Sequence, residues 1–61
     1  MVLVRGDDFY SVFNDDAEIV AKVLKEEIFD RGNYTETIFS TWDLDDLLPA
    51  LIRKGYRVAI A

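Results

Sequence analysis

Phe9-Tyr10-Ser11-Val12-Phe13-Asn14-Asp15-Asp16-Ala17 is the stretch that decides how this chain folds. From Phe9 to Phe13 the side chains alternate, with Phe9, Ser11 and Phe13 on one side and Tyr10 and Val12 on the other. That period of two is the signature of a strand. The chemistry then changes. Asn14 or Asp15 supplies a helix cap, and Asp15-x-x-Glu18 has the spacing of a capping box. Asp15, Asp16 and Glu18 also place negative charge in a first helical turn, where it complements the helix dipole. A strand therefore runs directly into a helix.

Working upstream, Val2-Leu3-Val4 is a short apolar run rich in β-branched residues and reads as another strand. Arg5-Gly6-Asp7-Asp8 carries turn chemistry, so the two strands form a hairpin. Downstream, Ile19, Val20, Val23, Leu24 and Ile28 fall at helical spacing and make a buried stripe. Glu18 and Lys22 are correctly ordered for a supporting i,i+4 pair. The spacing predicts a helix that ends near Arg31, with Gly32 as its left-handed terminator.

Tyr34 to Ser40 reads as a strand, with Thr35, Thr37 and Phe39 opposite Glu36 and Ile38. Thr41-Trp42-Asp43 caps a second helix whose apolar face is Leu44, Leu47, Leu48, Leu51 and Ile52. Trp42 is expected to staple the helix entry over the core. Pro49 either kinks this helix or opens a new helical segment, because its ring clashes with the carbonyl four residues earlier. Arg53 and Lys54 suit a helix C-terminus and Gly55 ends it. Tyr56 to Ile60 is nearly all apolar or aromatic and reads as a last, central strand. The predicted fold is one α/β (α+β) domain over residues 1–61, with a four-stranded mixed sheet, two helices and the order β-β-α-β-α-β.

Composition narrows the chemistry. The chain has 61 residues, no Cys and no His, which removes disulfides, thiolates, imidazole bases and the usual zinc ligands together. A domain this small without such staples depends on its apolar core or on oligomerisation, and the 51% hydrophobic content points to a homodimer. Seven basic residues against twelve acidic give a net charge of −5. Backbone binding to nucleic acid rests on a basic face, so the charge disfavours it and favours a basic protein partner. No apolar run approaches the roughly 20 residues that span a bilayer, and the start of the chain lacks a signal-peptide pattern, so the cytoplasm is the expected compartment. Asn33-Tyr34-Thr35 and Arg5-Gly6-Asp7 match a glycosylation sequon and an adhesion tripeptide, and both need export to matter.

Two separated strings carry a family likeness. Arg5-x-x-Asp8-Phe9-Tyr10-x-x-Phe13-x-Asp15-Asp16-Ala17 resembles the start of the N-terminal mismatch-recognition domain (domain I) of the MutS DNA repair family. Leu48-x-x-Leu51-Ile52-x-x-Gly55-x-x-Val58-Ala59-Ile60 resembles the helix and strand that close the same domain. Together they cover about half the chain, and Lys25 to Leu47 adds only compatible secondary structure. In that family a Phe-x-Glu triplet meets the mispaired base, the Phe stacking and the Glu hydrogen-bonding. The resemblance therefore places Phe9 as an aromatic wedge, Ser11 at the position of the Glu, and Arg5 beside DNA. Ser11 cannot reproduce a carboxylate contact. Asp7 replaces a turn glycine, Phe39-Ser40-Thr41-Trp42 stands where a Gly-x-Pro-x-His segment is expected, and the family's ATPase has no counterpart here.

Other chemistry has ordinary explanations. Asp15 and Asp16 are accounted for by capping, and Asp43, Asp45 and Asp46 by a solvated helix start rather than a cation site. Ser11 reads as a solvent-facing strand residue. No catalytic constellation, cofactor site or metal site is expected. The leading expectation is a small non-enzymatic module that acts by protein contact or self-association. A second reading binds DNA, with Phe9 as wedge and Arg5, Arg53, Lys54 and Arg57 on phosphates. A third is an acidic decoy that fills the basic groove of a nucleic-acid-binding protein.

Overall fold

The computed structural model describes all of Met1–Ala61. The elements are β1 (Val2–Arg5), β2 (Phe9–Phe13), α1 (Asn14–Leu24), β3 (Phe29–Asp30), β4 (Thr35–Ser40), a 3₁₀ turn (Thr41–Asp43), α2 (Leu44–Arg53) and β5 (Ala59–Ile60). They form an α+β fold with a five-stranded mixed sheet in the order β3-β4-β2-β1-β5. The β1–β2, β2–β4 and β3–β4 pairs are antiparallel, and β1–β5 is parallel. The predicted hairpin of β1 and β2 is present, with Val4 opposite Ser11 and Arg5 opposite Tyr10.

The strand count differs from the predicted four because α1 stops early. Lys25-Glu26-Glu27 offers nothing apolar to extend the stripe, and the helix ends at Leu24 with Lys25 in the left-handed region at φ 58°. The N–H of Glu26 then bonds back to the Ala21 carbonyl at 3.0 Å, closing the terminus. Ile28, expected in the helical stripe, is exposed instead. The freed segment is tied to the sheet by Thr37, whose Oγ1 donates to the Glu27 carbonyl at 2.8 Å. Phe29–Asp30 then pairs with β4 as the additional strand.

Gly32 consequently has another task. It turns the β3–β4 hairpin at φ 95°, with its N–H donating to Asp30 Oδ1 at 2.9 Å and the Arg31 N–H donating to the Tyr34 carbonyl. Glycine fits because this turn needs a positive φ at its first central residue. At the start of α1, neither Asn14 nor Asp15 makes a side-chain cap: the cap position is Phe13, and no side chain bonds there.

The second helix also differs in detail. Ser40 caps the 3₁₀ turn by accepting from the Trp42 N–H at 3.0 Å, while Asp43 makes no side-chain cap to α2. Pro49 lies inside a continuous helix. Both Pro49 and Asp45, the residue whose carbonyl loses its helical donor, are exposed, so the proline sits on the solvent side of the helix. Gly55 at φ 91° ends α2 as predicted, with Gly55 N–H to the Ile52 carbonyl and Tyr56 N–H to the Leu51 carbonyl. The final strand is short and lies at the sheet edge, not the centre. Residues 56–58 lead out of the helix terminus, and only Ala59–Ile60 reaches the ladder beside Val2 and Leu3.

One face of the sheet holds the core. Leu3, Tyr10, Val12 and Phe39 pack with Val20 of α1 and Leu47 and Leu51 of α2, and Ala17, Ala21 and Thr37 are buried alongside. Tyr10 and Phe39 stack with ring centroids 5.4 Å apart. Both helices lie on this face. The opposite face has no helix over it.

Candidate interaction face

Alternation along the strands sends Val2, Val4, Phe9, Phe13, Ile38 and Phe29 to that uncovered face. Val2, Val4, Phe9 and Phe29 are all exposed, while Phe13 and Ile38 are half-buried. Phe13 meets the edge of the exposed Tyr34 ring at a centroid distance of 5.7 Å. Exposed apolar side chains scattered singly are ordinary, but a contiguous set on one face marks a contact surface. The sequence carried a signal for this. Val2-Leu3-Val4 is apolar on both faces, and an antiparallel strand with one wet face usually alternates with polar residues.

The residues singled out by family likeness separate on this frame. Phe9 opens β2 on the uncovered face and is 42% exposed. Its ring leans on the turn before it: a β-carbon at Gly6 would lie 3.0 Å from Phe9 Cε2. Ser11 is on the same face but keeps only 9% of its surface, because Val4 and Ile38 flank it on the neighbouring strands. The expectation of a solvent-facing serine is thus corrected. Arg5 pairs with Tyr10, a core residue, so its side chain leaves the sheet on the helix side. Phe9 and Arg5 are neighbours in the hairpin but belong to opposite faces.

The remaining cations are dispersed. Arg53 and Lys54 end α2 in the helix layer, and Arg57 lies beside the N-terminus, with the Met1 amino group donating to its carbonyl at 2.8 Å. The uncovered face has Arg31, which lies over the Phe29 ring at 4.9 Å. That guanidinium is already paired with Glu36 at 3.0 Å. Carboxylates border the face instead: Asp7 and Asp8 precede Phe9, and Asp15 and Asp16 follow Phe13. An open groove of about 450 Å³ runs along this border, lined by Val2, Val4, Phe13, Asn14, Asp15 and Asp16. Asp43, Asp45 and Asp46 do not converge into a set that could hold a metal ion. Trp42 is 87% exposed and does not staple the core. No helix is long and apolar enough to cross a membrane.

A family model described as MutS domain I matches residues 1–61. The chain belongs to the MutS domain I family. It is 45% identical over 65 residues to the DNA mismatch repair protein MutS of Cytophaga hutchinsonii, covering 98% of this chain and 8% of that protein. It is 39% identical over 66 residues to the MutS of Methanococcoides burtonii, covering 98% of this chain and 7% of the relative. For MutS 1 of Halobacterium salinarum the identity is 40% over 65 residues, covering all of this chain and 8% of the relative. The MutS domain I-like chain thus spans less than a tenth of the length of these relatives. Its family likeness extends through Lys25 to Leu47, where the two quoted strings gave no specific match.

Proposed function

We propose that this MutS domain I-like chain is a non-enzymatic contact module that docks another polypeptide, or its own copy, through the uncovered sheet face. The observation that carries the reading is the apolar set Val2, Val4, Phe9, Phe29 on a face with no helix above it. Burying such a face removes apolar surface from water at roughly 25 cal/mol per Å².

A second reading, DNA contact in the manner suggested by the relatives' name as mismatch repair proteins, is favoured by one feature. Phe9 is exposed, as a wedge has to be. Against it stand Ser11, sunk between Val4 and Ile38 with no carboxylate, and the placement of Arg5, Arg53 and Lys54 on the helix side. A DNA-binding surface gathers its cations around its base-reading residues.

Gel-shift titration at low salt with matched and mismatched duplexes, alongside sedimentation of the wild type and of Val4→Glu, tests the choice. The contact reading expects no duplex binding. Micromolar or tighter binding that weakens on Phe9→Ala overturns it in favour of DNA. Concentration-dependent self-association that Val4→Glu abolishes identifies the uncovered face as the surface used.

A further inference from the structure

Resting on the contact reading, we infer that the groove beside Val4 takes a segment of a partner protein that carries apolar side chains next to Lys or Arg. The floor of this groove is Val2, Val4 and Phe13, and its wall is Asn14, Asp15 and Asp16. Its volume of about 450 Å³ lies in the roughly 300–1,000 Å³ range of sites that enclose small groups, so it admits side chains rather than a whole element. An apolar floor beside two carboxylates asks for a ligand with both characters.

Charge chooses the occupant. Neither Asp15 nor Asp16 has a salt-bridge partner in the fold, because the one ion pair joins Arg31 to Glu36. A second copy would bring its own Asp15 and Asp16, and a net charge of −5, against the same surface. Like charges brought together at an interface are repulsive. Duplex DNA presents phosphates of the same sign as Asp15 and Asp16, so the same argument disfavours it as the occupant of this groove. A segment with Lys or Arg supplies the ion-pair partner that no side chain of the fold gives Asp15 or Asp16, and its apolar neighbours cover Val4 and Val2. Rim charges of this kind act mainly on association rate and salt dependence, whereas the apolar floor sets the lifetime of the complex.

The test uses a short fluorescein-labelled peptide containing a Leu-Val pair followed by a Lys-Arg pair, read by anisotropy against the full chain. Two control peptides replace Lys-Arg with Glu-Glu, or Leu-Val with Ser-Ser. The basic apolar peptide is expected to bind at least about tenfold more tightly than either control, and to weaken as salt rises. Val4→Glu is the decisive variant, because it adds negative charge while spoiling the floor. It is expected to weaken binding, as is Asp15→Asn combined with Asp16→Asn. Ile28→Glu, which adds the same charge outside the groove, is expected to leave the floor contact intact. Circular dichroism melts establish that each variant is folded.

Tighter binding by Val4→Glu than by wild type overturns the inference, since attraction would then be charge alone. Equal binding of the Glu-Glu peptide overturns it too. If no peptide binds but sedimentation shows self-association that Val4→Glu abolishes, the partner chemistry is wrong while the face still docks. If Val4→Glu changes neither measurement, both the inference and the contact reading fail.

Discussion

The ring of Phe9 rests on Gly6. A β-carbon built on Gly6 would stand 3.0 Å from Phe9 Cε2, 3.1 Å from Cζ and 3.2 Å from the Phe9 carbonyl oxygen. The Gly6 N–H also donates to that carbonyl at 2.7 Å, so ring and backbone are both held against the turn. Phe9 is therefore an anchored aromatic with one side in water. Gly6→Ala is expected to lower stability by about 1 kcal/mol, read from urea midpoints. The cost should shrink when Phe9→Ala removes the two ring contacts. Strict additivity in that double-mutant cycle would show that the ring does not lean on Gly6.

Two non-glycine residues bracket α1 in the left-handed region, Asn14 at φ 57° and Lys25 at φ 58°. Asparagine tolerates this conformation, and Asn14 Oδ1 accepts from the Thr35 N–H at 3.3 Å, joining the start of α1 to the start of β4. Lysine gains nothing comparable. Lys25→Gly should thus stabilise the domain by about 0.5–1 kcal/mol, the relieved backbone strain outweighing the added freedom of the unfolded chain. Asn14→Ala should cost about 1–2 kcal/mol, and Asn14→Gly less than that. Thermal melts of the three variants decide the matter: a lower melting temperature for Lys25→Gly would contradict the strain argument.

The same two positions explain what could be read from sequence and what could not. Strand β2 and its run into α1 were legible because alternation at Phe9–Phe13 and the acidic first turn are local signals. The end of α2 was legible for the same reason, since Gly55 has one conformational role there. The end of α1 was not. Gly32 offers identical chemistry to a helix terminator and to a hairpin turn, and only the pairing of Phe29 with Glu36 selects the second. The edge position of β5 is likewise a tertiary outcome, because an apolar run such as Val58-Ala59-Ile60 suits a buried strand equally well. For the candidate site, family likeness pointed to Phe9 and Ser11 in sequence. The faces to which Arg5 and Phe9 belong depend on register across the hairpin, which a motif does not carry.

Phe39 and Trp42 are three residues apart and sit at opposite extremes of burial, 2% against 87% exposed. At roughly 0.05–0.15 kcal/mol per residue, a chain of this length has only about 3–9 kcal/mol of stability to lose. Phe39→Ala removes the partner of Tyr10 and should cost about 3–5 kcal/mol, leaving a substantially unfolded population by circular dichroism. Trp42→Ala should stay within about 0.5 kcal/mol of wild type. As the single tryptophan, Trp42 should also show the red-shifted, readily quenched emission of an indole in water. Blue-shifted emission at low concentration would mean that the side chain is covered.

Ser11 offers the sharpest test of whether this chain reads mismatches. It lies between Val4 and Ile38 in one cross-strand row, so its neighbours are apolar and its own surface is nearly all covered. Ser11→Val completes that row and should stabilise the sheet by about 0.5–1 kcal/mol. Ser11→Glu supplies the carboxylate that the family likeness places there, but the longer side chain has to rise over Val4 and Ile38 to reach water. It should cost about 1 kcal/mol and confer no mismatch preference, because Arg5, Arg53 and Lys54 remain on the other side of the sheet. Gel shifts with the Ser11→Glu variant check this directly. A mismatch-selective shift appearing on that single change would mean that the missing carboxylate alone had silenced DNA recognition, and that the placement of the cations was not decisive.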